Sequence, residues 1–268
     1  MKYKILAMDI DDTLLSGTSE ISACNMQAIR KAQEAGVFVT IATGRNPLGS
    51  QNIWKALNIK GPIINFGGAM ITDTRTGKIL HTTSIENEQV QEILEMAVSL
   101  SLHAQIYQGS GIVYERENAV AISYAEALKI PHTVDPDIRK KKWDNVPKVL
   151  MFAEPGRVEK LIPELQKHFD GRIKVSASKP TFIEFNHISS NKGTALAKLC
   201  EIMDVRRDET AAIGDNTLDE EMIEWAGLGA AVGNAQPRIK AIADVITPGC
   251  DDDGVAWLIN NCLLGGTE

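Results

Sequence analysis

Three carboxylates follow a short apolar run near the start of the sequence. The run is Ile5–Met8, and Asp9, Asp11 and Asp12 stand within the next four positions. Such a run is typical of a strand that is buried on both faces of a parallel sheet. Carboxylates this close repel one another, and Mg²⁺, which prefers oxygen ligands, would relieve the repulsion. The alternative is a strand that ends in a solvated acidic turn.

A second group of polar residues follows another strand-like run. Residues 37–42 are rich in β-branched side chains, and Thr43, Gly44 and Arg45 come next. A threonine hydroxyl beside an accessible glycine N–H can hold a small anion. An ordinary turn is the alternative for this group taken alone.

Two more charged groups stand in the last third of the chain. Lys192 is placed in the first turn of a predicted helix, where a cation opposes the helix dipole unless it faces an anion. Asp215 follows the predicted strand 210–214, and Asp219 falls in the first turn of the next helix. An exposed lysine and two helix-capping carboxylates are the alternatives. Because ligands bind at the carboxyl ends of parallel strands, we expect all of these groups to converge there.

The predicted elements that position these residues alternate between strand and helix. The order strand–helix–strand–helix–strand over Ile5–Phe66 is typical of a parallel sheet, and the alternation returns from Asn191. Between these stretches, helices mix with hairpin-like strands. The predicted fold class is therefore α/β, with a doubly wound parallel-sheet (Rossmann-like) core formed by residues 1–83 and 187–268. Residues 84–186 are predicted to form an inserted α+β cap domain.

Two helix predictions concern particular residues. Asn46 and Pro47 are a good N-cap and first-turn pair, which predicts a helix from there to about Leu57. A second helix is predicted over 88–102, with Val98 on its apolar face.

The composition is that of an ordinary globular protein, with 44% hydrophobic and 24% charged residues. A length of 268 residues fits one large domain or two domains. The net charge of −7 argues against a nucleic-acid partner, because such partners favour a basic face. It does not argue against a small anionic substrate, since a local site can be positive within an acidic protein.

The cysteines contain no C-x-x-C pair, which predicts buried thiols rather than a zinc site. These cysteines are Cys24, Cys200, Cys250 and Cys262. The apolar run before Asp9 is too short for a signal peptide or a membrane span. We therefore expect a cytoplasmic chain with no membrane partner, acting as a monomer or a small homo-oligomer.

The order of the polar motifs resembles that of the haloacid dehalogenase superfamily. The four similar motifs are Asp9-x-Asp11-x-Thr13, Thr43-Gly44-Arg45, Lys192 and Gly214-Asp215-x-x-x-Asp219. The closing segments 232–235, 239–247 and 253–256 are similar to those of its Cof-type phosphatases. The resemblance spans 2–83 and 187–262.

The resemblance implies roles for several of these residues. Asp9 would be the nucleophile, attacking phosphorus to give an aspartyl phosphate. Asp11 would protonate the leaving oxygen and later activate water. The residues implied to hold phosphoryl oxygens are Ile10, Thr43, Gly44 and Lys192.

A magnesium site is implied in the same way. Mg²⁺ would be held by Asp9, the carbonyl of Asp11, and Asp215. The residues implied as possible supporting groups are Arg45, Asn216 and Asp219. The expected function is therefore Mg²⁺-dependent hydrolysis of small phosphorylated metabolites, either sugar phosphates or cofactor phosphates. A sugar-phosphate phosphomutase and a non-catalytic sensor of phosphometabolites are the alternatives.

Two positions depart from the family pattern. Leu218 stands where the family usually has an asparagine that supports the metal or the phosphate. We expect this change to weaken Mg²⁺ or substrate binding, unless Leu218 packs in the core near Met222. The family's Asn-Gly-Ala after the third strand is replaced here by Gly67-Gly68-Ala69.

Overall fold

The computed structural model describes residues 2–17 and 20–265, and it divides into two compact units. The first unit consists of Met1–Asn46, Ser50–His81 and Asn191–Glu268. The second unit consists of Pro47–Gly49 and Thr82–Ser190.

The described residues form strands and helices that alternate along much of the chain. In chain order, the strands are β1 (Ile5–Met8), β2 (Phe38–Ile41), β3 (Pro62–Asn65), β4 (Met70–Asp73), β5 (Ile79–Thr82), β6 (His103–Gln108), β7 (Gly111–Tyr114), β8 (His132–Val134), β9 (Val149–Phe152), β10 (Ile173–Lys179), β11 (Phe182–His187), β12 (Thr210–Gly214), β13 (Leu228–Ala231) and β14 (Val245–Ile246). The helices are α1 (Ala23–Glu34), α2 (Gln51–Ala56), α3 (Asn87–Ser99), α4 (Ala119–Leu128), α5 (Pro155–His168), α6 (Lys192–Met203), α7 (Glu220–Trp225), α8 (Pro237–Ile242) and α9 (Gly254–Leu258). None of these helices is long and apolar enough to cross a bilayer.

A five-stranded parallel sheet forms the centre of the first unit, in the order β14-β13-β12-β1-β2. Side chains of β1 alternate between its two faces, because successive strand residues point in opposite directions. Leu6 and Met8 pack in a cluster that includes residues of α1, α8 and α9. Ile5 and Ala7 pack in a second cluster with residues of α6 and α7. Helices therefore cover both faces of the sheet, and the predicted doubly wound fold class is confirmed.

A small sheet in the order β3-β4-β5 extends the first unit beyond β2. Its strand β3 runs antiparallel to β4 and is joined to the end of β2 by a parallel bridge between Ala42 and Ile64. This bridge places the end of β3 beside the residues that follow β2.

The second unit has a six-stranded sheet in the order β10-β11-β9-β6-β7-β8. Its neighbouring strands are antiparallel, except for the parallel pair β7 and β8, which is connected by α4. Helices α3 and α5 pack with the sheet in one hydrophobic cluster, to which Ile106, Met151 and Phe185 belong. This unit is the α+β part of the chain.

The prediction of a helix from Asn46 is wrong, because α2 begins only at Gln51. The Asn65 amide donates to the carbonyl of Arg45 at 3.3 Å and to the hydroxyl of Ser50 at 3.1 Å. The Ser50 N–H in turn donates to the Asn46 carbonyl at 3.1 Å. These bonds hold the intervening residues as a separate turn ahead of the helix.

Two predictions about burial are also wrong. Val98 is 47% exposed, because it lies at the edge of the apolar stripe of α3 and one residue from its end. Cys24 is exposed on the second position of α1, whereas Cys200 and Cys250 are buried and Cys262 is half-buried. All four cysteines are free thiols.

Candidate active site

Asp9 and Lys192 form the centre of a buried ion cluster. Asp9 follows β1 and Lys192 is the first residue of α6, and their side chains are 6% and 1% exposed. The lysine Nζ donates to Asp9 Oδ1 and to Asp219 Oδ1, at 2.5 Å in both cases. Burial lowers the pKa of Lys192, but the carboxylates of Asp219 and Asp9 more than offset this and raise the pKa above its ordinary value. Two anions therefore compensate the cation in the first helical turn.

Asp219 is a positioning group in this cluster. Its Oδ2 accepts the backbone N–H of Asp215 at 3.0 Å and that of Asn216 at 3.2 Å. Because Oδ1 is bonded to Lys192, both oxygens already have N–H donors. A Cβ at Gly214 would lie 2.4 Å from Asp219 Cβ, so the glycine is required for the carboxylate to fit under the end of β12.

Asp215 faces the same cluster from the end of β12. Its Oδ1 accepts the hydroxyl of Thr13 at 3.2 Å and the amide of Asn216 at 2.9 Å. Burial, together with the charge of Asp219, raises the pKa of Asp215 to about 6. Burial also raises the pKa of Asp9, against the opposing effect of Lys192.

The chemistry of these groups fits a divalent cation. Oxygens of Asp9, Asp215 and Asp219 lie within 4.8 Å of one another. When all three buried carboxyl groups are ionised, the single ammonium of Lys192 leaves an excess of two negative charges, which is costly in a low-dielectric interior. A hard dication with oxygen ligands would neutralise this excess. Asp9 and Asp215 are the better ligands, since the oxygens of Asp219 already accept N–H donors.

Groups suited to a phosphoryl anion adjoin the cluster. Asp9 Oδ2 is buried and has no hydrogen-bond partner within the described ranges. The buried Thr43 accepts the N–H of Arg45 at 3.1 Å, which leaves its hydroxyl proton to donate. In the part of the chain that the structure describes, the N–H groups of Ile10 and Gly44 make no hydrogen bond. The site thus pairs one unused carboxylate oxygen with several unused donors.

Asp11 stands apart from the buried cluster. Its carboxylate is 58% exposed and is bound by both Nε and Nη2 of Arg45, with Nε donating to Oδ2 at 2.9 Å. Of the predicted site residues, the structure therefore brings Asp9, Lys192, Asp215 and Asp219 into one cluster. Asp11 and Arg45 form a separate pair at the same edge of the chain's parallel sheet.

Sequence reasoning assigned no role to Thr13 or Asn234, although both hold the acidic loop. Thr13 donates to Asp215, as described above. The Asn234 amide donates to the carbonyl of Asp12 at 2.7 Å, and its oxygen accepts the N–H of Cys250 at 2.8 Å. In the sequence, these two residues were marked only by their place in the family-like motifs. Thr13 ends the motif Asp9-x-Asp11-x-Thr13, and Asn234 lies in the segment 232–235.

Leu218 does not pack in the core, so that hypothesis is wrong. Its side chain is 38% exposed, whereas Met222 is fully buried. The Leu218 N–H donates to the side-chain oxygen of Asn216 at 2.9 Å. The side chain of Asn216 therefore donates a hydrogen bond to Asp215 and accepts one from Leu218, in the turn before Asp219.

The glycine pair after β3 has a conformational explanation. Gly67 has a φ of 64° and a ψ of 26°, a left-handed conformation that both glycine and asparagine adopt. Glycine can therefore replace the family's asparagine without changing the backbone. Gly68 is more restricted, because a Cβ there would lie 2.0 Å from the carbonyl oxygen of Asn191, the N-cap of α6.

Leu218→Asn is expected to leave the melting temperature unchanged, because the new amide would be exposed to solvent. If asparagine there supports the metal or the phosphate, the affinity for Mg²⁺ or substrate should rise by a factor of about two to ten, because the variant gains about one hydrogen bond. Titrations of activity with Mg²⁺ and with substrate measure the two affinities, and a thermal melt measures the melting temperature. Unchanged affinities for both ligands would exclude a binding role for this position.

Thr13→Val is expected to weaken Mg²⁺ binding roughly tenfold, because Asp215 loses a donor that orients its carboxylate. Thr13→Ser keeps the hydroxyl and serves as the matched control. Calorimetric Mg²⁺ titration of both variants gives the comparison. Equal Mg²⁺ affinities for the valine and serine variants would contradict the orienting role.

In a doubly wound sheet, ligands bind at the carboxyl ends of the strands, which is where this cluster lies. The family model for haloacid dehalogenase-like hydrolases matches residues 6–259, and the chain belongs to that family. The chain is thus a hydrolase of this family, and several of its relatives are named phosphatases.

Among these relatives is the 5-amino-6-(5-phospho-D-ribitylamino)uracil phosphatase YcsE of Bacillus subtilis, which is 32% identical over 97% of this chain and 96% of its own length. The HMP-PP phosphatase of Serratia proteamaculans is 26% identical over 97% and 96% of the two chains. The crystal structure of a haloacid dehalogenase-like hydrolase from Bacteroides thetaiotaomicron matches with a TM-score of 0.84 and 31% identity, covering 97% of this chain and 99% of that one.

Proposed function

We propose that the chain hydrolyses small phosphorylated metabolites through an aspartyl-phosphate intermediate on Asp9, with Mg²⁺ as cofactor. The observation that carries this proposal is the buried Oδ2 of Asp9, which has no partner within the described residues. A buried carboxylate oxygen without a partner is costly unless it serves a ligand or a reaction.

The proposed reaction has two half-reactions. In the first, an Asp9 oxygen attacks phosphorus, the bond to the ester oxygen breaks, and Asp11 gives its proton to the departing alcohol. In the second, water attacks the same phosphorus, its proton passes to Asp11, and the Asp9 carboxylate is released. Inorganic phosphate is the product, and both carboxyl groups return to their initial states.

The unused donors would hold the phosphoryl oxygens during both steps. These donors are the N–H groups of Ile10 and Gly44, the Thr43 hydroxyl and the Lys192 ammonium. Asp9, the Asp11 carbonyl and Asp215 would hold Mg²⁺, which when bound would neutralise charge on the phosphoryl oxygens. Asp219 keeps Lys192 and the Asp215 backbone in place.

Sugar phosphates and cofactor phosphates are the proposed substrate classes. The two relatives named above are, by their names, a 5-amino-6-(5-phospho-D-ribitylamino)uracil phosphatase and an HMP-PP phosphatase, which supports small phosphorylated metabolites as substrates. The cytoplasmic location and the monomeric or small homo-oligomeric state stay predictions.

A panel of phosphorylated metabolites, assayed for released phosphate in Mg²⁺, tests the proposal. We expect the purified chain to release phosphate from several sugar or cofactor phosphates and from 4-nitrophenyl phosphate. Isomerisation of a sugar phosphate without phosphate release would instead identify a phosphomutase. The absence of turnover of every ester, including 4-nitrophenyl phosphate, would contradict the proposed function.

A further inference from the structure

Arg45 binds both oxygens of the Asp11 carboxylate through one edge of its guanidinium group. Nε donates to Oδ2 at 2.9 Å, and Nη2 donates to Oδ1. A planar fork of this kind fixes the plane of a carboxylate as well as its position. The backbone of Arg45 is itself tied to the site, because its N–H donates to the hydroxyl of Thr43 at 3.1 Å.

Asp11 needs such a partner more than the buried carboxylates do. Asp9 and Asp219 are held by Lys192, and Asp215 by Thr13 and Asn216. The side chain of Asp11 is 58% exposed, and within residues 2–17 and 20–265 Arg45 is the only side chain that binds it. Among the described residues, Arg45 therefore supplies the side-chain hydrogen bonds that hold this carboxylate.

We propose that Arg45 is a positioning residue, which orients Asp11 for proton transfer in both half-reactions. This inference rests on the proposed function. Each carboxylate oxygen has two lone pairs, so the fork leaves a lone pair on each oxygen to carry the transferred proton. The proton given to the leaving oxygen in the first step is regained from water in the second, and Arg45 is unchanged throughout.

A leaving-group comparison separates this role from simple stabilisation or substrate binding. Phenyl phosphate needs a proton on its departing oxygen, whereas 4-nitrophenyl phosphate has a leaving group that departs readily as the anion. The two esters have nearly the same shape. The ratio of their kcat/KM values therefore reports how well Asp11 delivers its proton.

Arg45→Met should lower the ratio of kcat/KM for phenyl phosphate to that for 4-nitrophenyl phosphate by about 10- to 100-fold, a typical effect of a misplaced catalytic group. Asp11→Asn should lower the same ratio, and adding Arg45→Met to Asp11→Asn should lower it no further. Arg45→Lys keeps the charge but lacks the fork, so it should not restore the ratio. Arg75→Met is the matched control, since Arg75 forms a similar fork with Asp73 in the first unit.

Several outcomes would overturn the inference. An equal fall in kcat/KM for both esters, with restoration by Arg45→Lys, would show that Arg45 binds the substrate by its charge. A further fall of the ratio in the Asp11→Asn background would show that Arg45 acts independently of Asp11. If the unaltered protein turned over neither ester in Mg²⁺, both the proposed function and this inference would fail. Turnover of both esters with an unchanged ratio in Arg45→Met would overturn the inference alone.

Discussion

Asp9→Asn is expected to lower phosphatase activity by several orders of magnitude while leaving the fold intact. The amide keeps the size of the side chain but lacks the carboxylate that attacks phosphorus. The fold should survive, because the substitution removes one of three buried negative charges around Lys192 and Asp219 still pairs with the lysine. Steady-state turnover of 4-nitrophenyl phosphate and a thermal melt measure the two effects.

Asp12→Asn provides the matched control for this variant. Asp12 is exposed, lies three positions further along the same loop and has a φ of 60°, which asparagine adopts readily. Its activity should stay within a few-fold of that of the unaltered protein. Near-normal turnover by purified Asp9→Asn would exclude nucleophilic attack by this residue.

Removal of Mg²⁺ is expected to abolish turnover and to lower the melting temperature. Without a cation, the excess of two negative charges in the cluster remains uncompensated and repels a phosphate dianion. A ligand that binds only the folded state also stabilises that state by mass action. Assays and melts in excess chelator, followed by re-addition of Mg²⁺, measure both effects.

Replacement of Mg²⁺ by Ca²⁺ tests whether turnover requires the smaller cation. Ca²⁺ accepts more oxygen ligands and binds carboxylates through both oxygens, so it should occupy Asp9 unproductively and inhibit. Ca²⁺ should therefore restore the melting temperature but not the activity. Undiminished turnover in excess chelator would contradict the metal requirement.

The positions of Asp9, Thr43 and Asp215 were predictable because each follows an apolar strand-like run. In a parallel sheet the carboxyl ends of the strands share one edge, so position along the chain predicts position in space. Lys192 was predictable for a different reason, since a cation in a first helical turn is unfavourable without a nearby anion.

Other features depended on contacts that the sequence pattern does not reveal. The start of α2 is set by Asn65, whose amide bonds the turn that precedes the helix. Strand β8 was not predicted, because its three residues are all exposed and pair only with β7. This strand is identified by its pairing with β7, because its sequence has no apolar pattern.

The supporting hydrogen bonds were the least predictable part of the site. Thr13 and Asp215 are 202 positions apart, and Asn234 and Asp12 are 222 positions apart. Hydroxyl and amide side chains leave no periodic signal, so such pairs become visible only when the fold brings them together. The exposure of Leu218 likewise follows from the turn that Asn216 stabilises.

Trapping the covalent intermediate tests the central claim most directly. Asp11→Asn should slow hydrolysis of the aspartyl phosphate, because it removes the base that activates water. The variant is mixed with 4-nitrophenyl phosphate and Mg²⁺, quenched in acid and reduced with borohydride, which converts an aspartyl phosphate to homoserine. We predict homoserine at position 9 in the digested peptide and none in an Asp9→Asn, Asp11→Asn double variant. Phosphate release without any modification at position 9, or modification at another residue, would contradict the account.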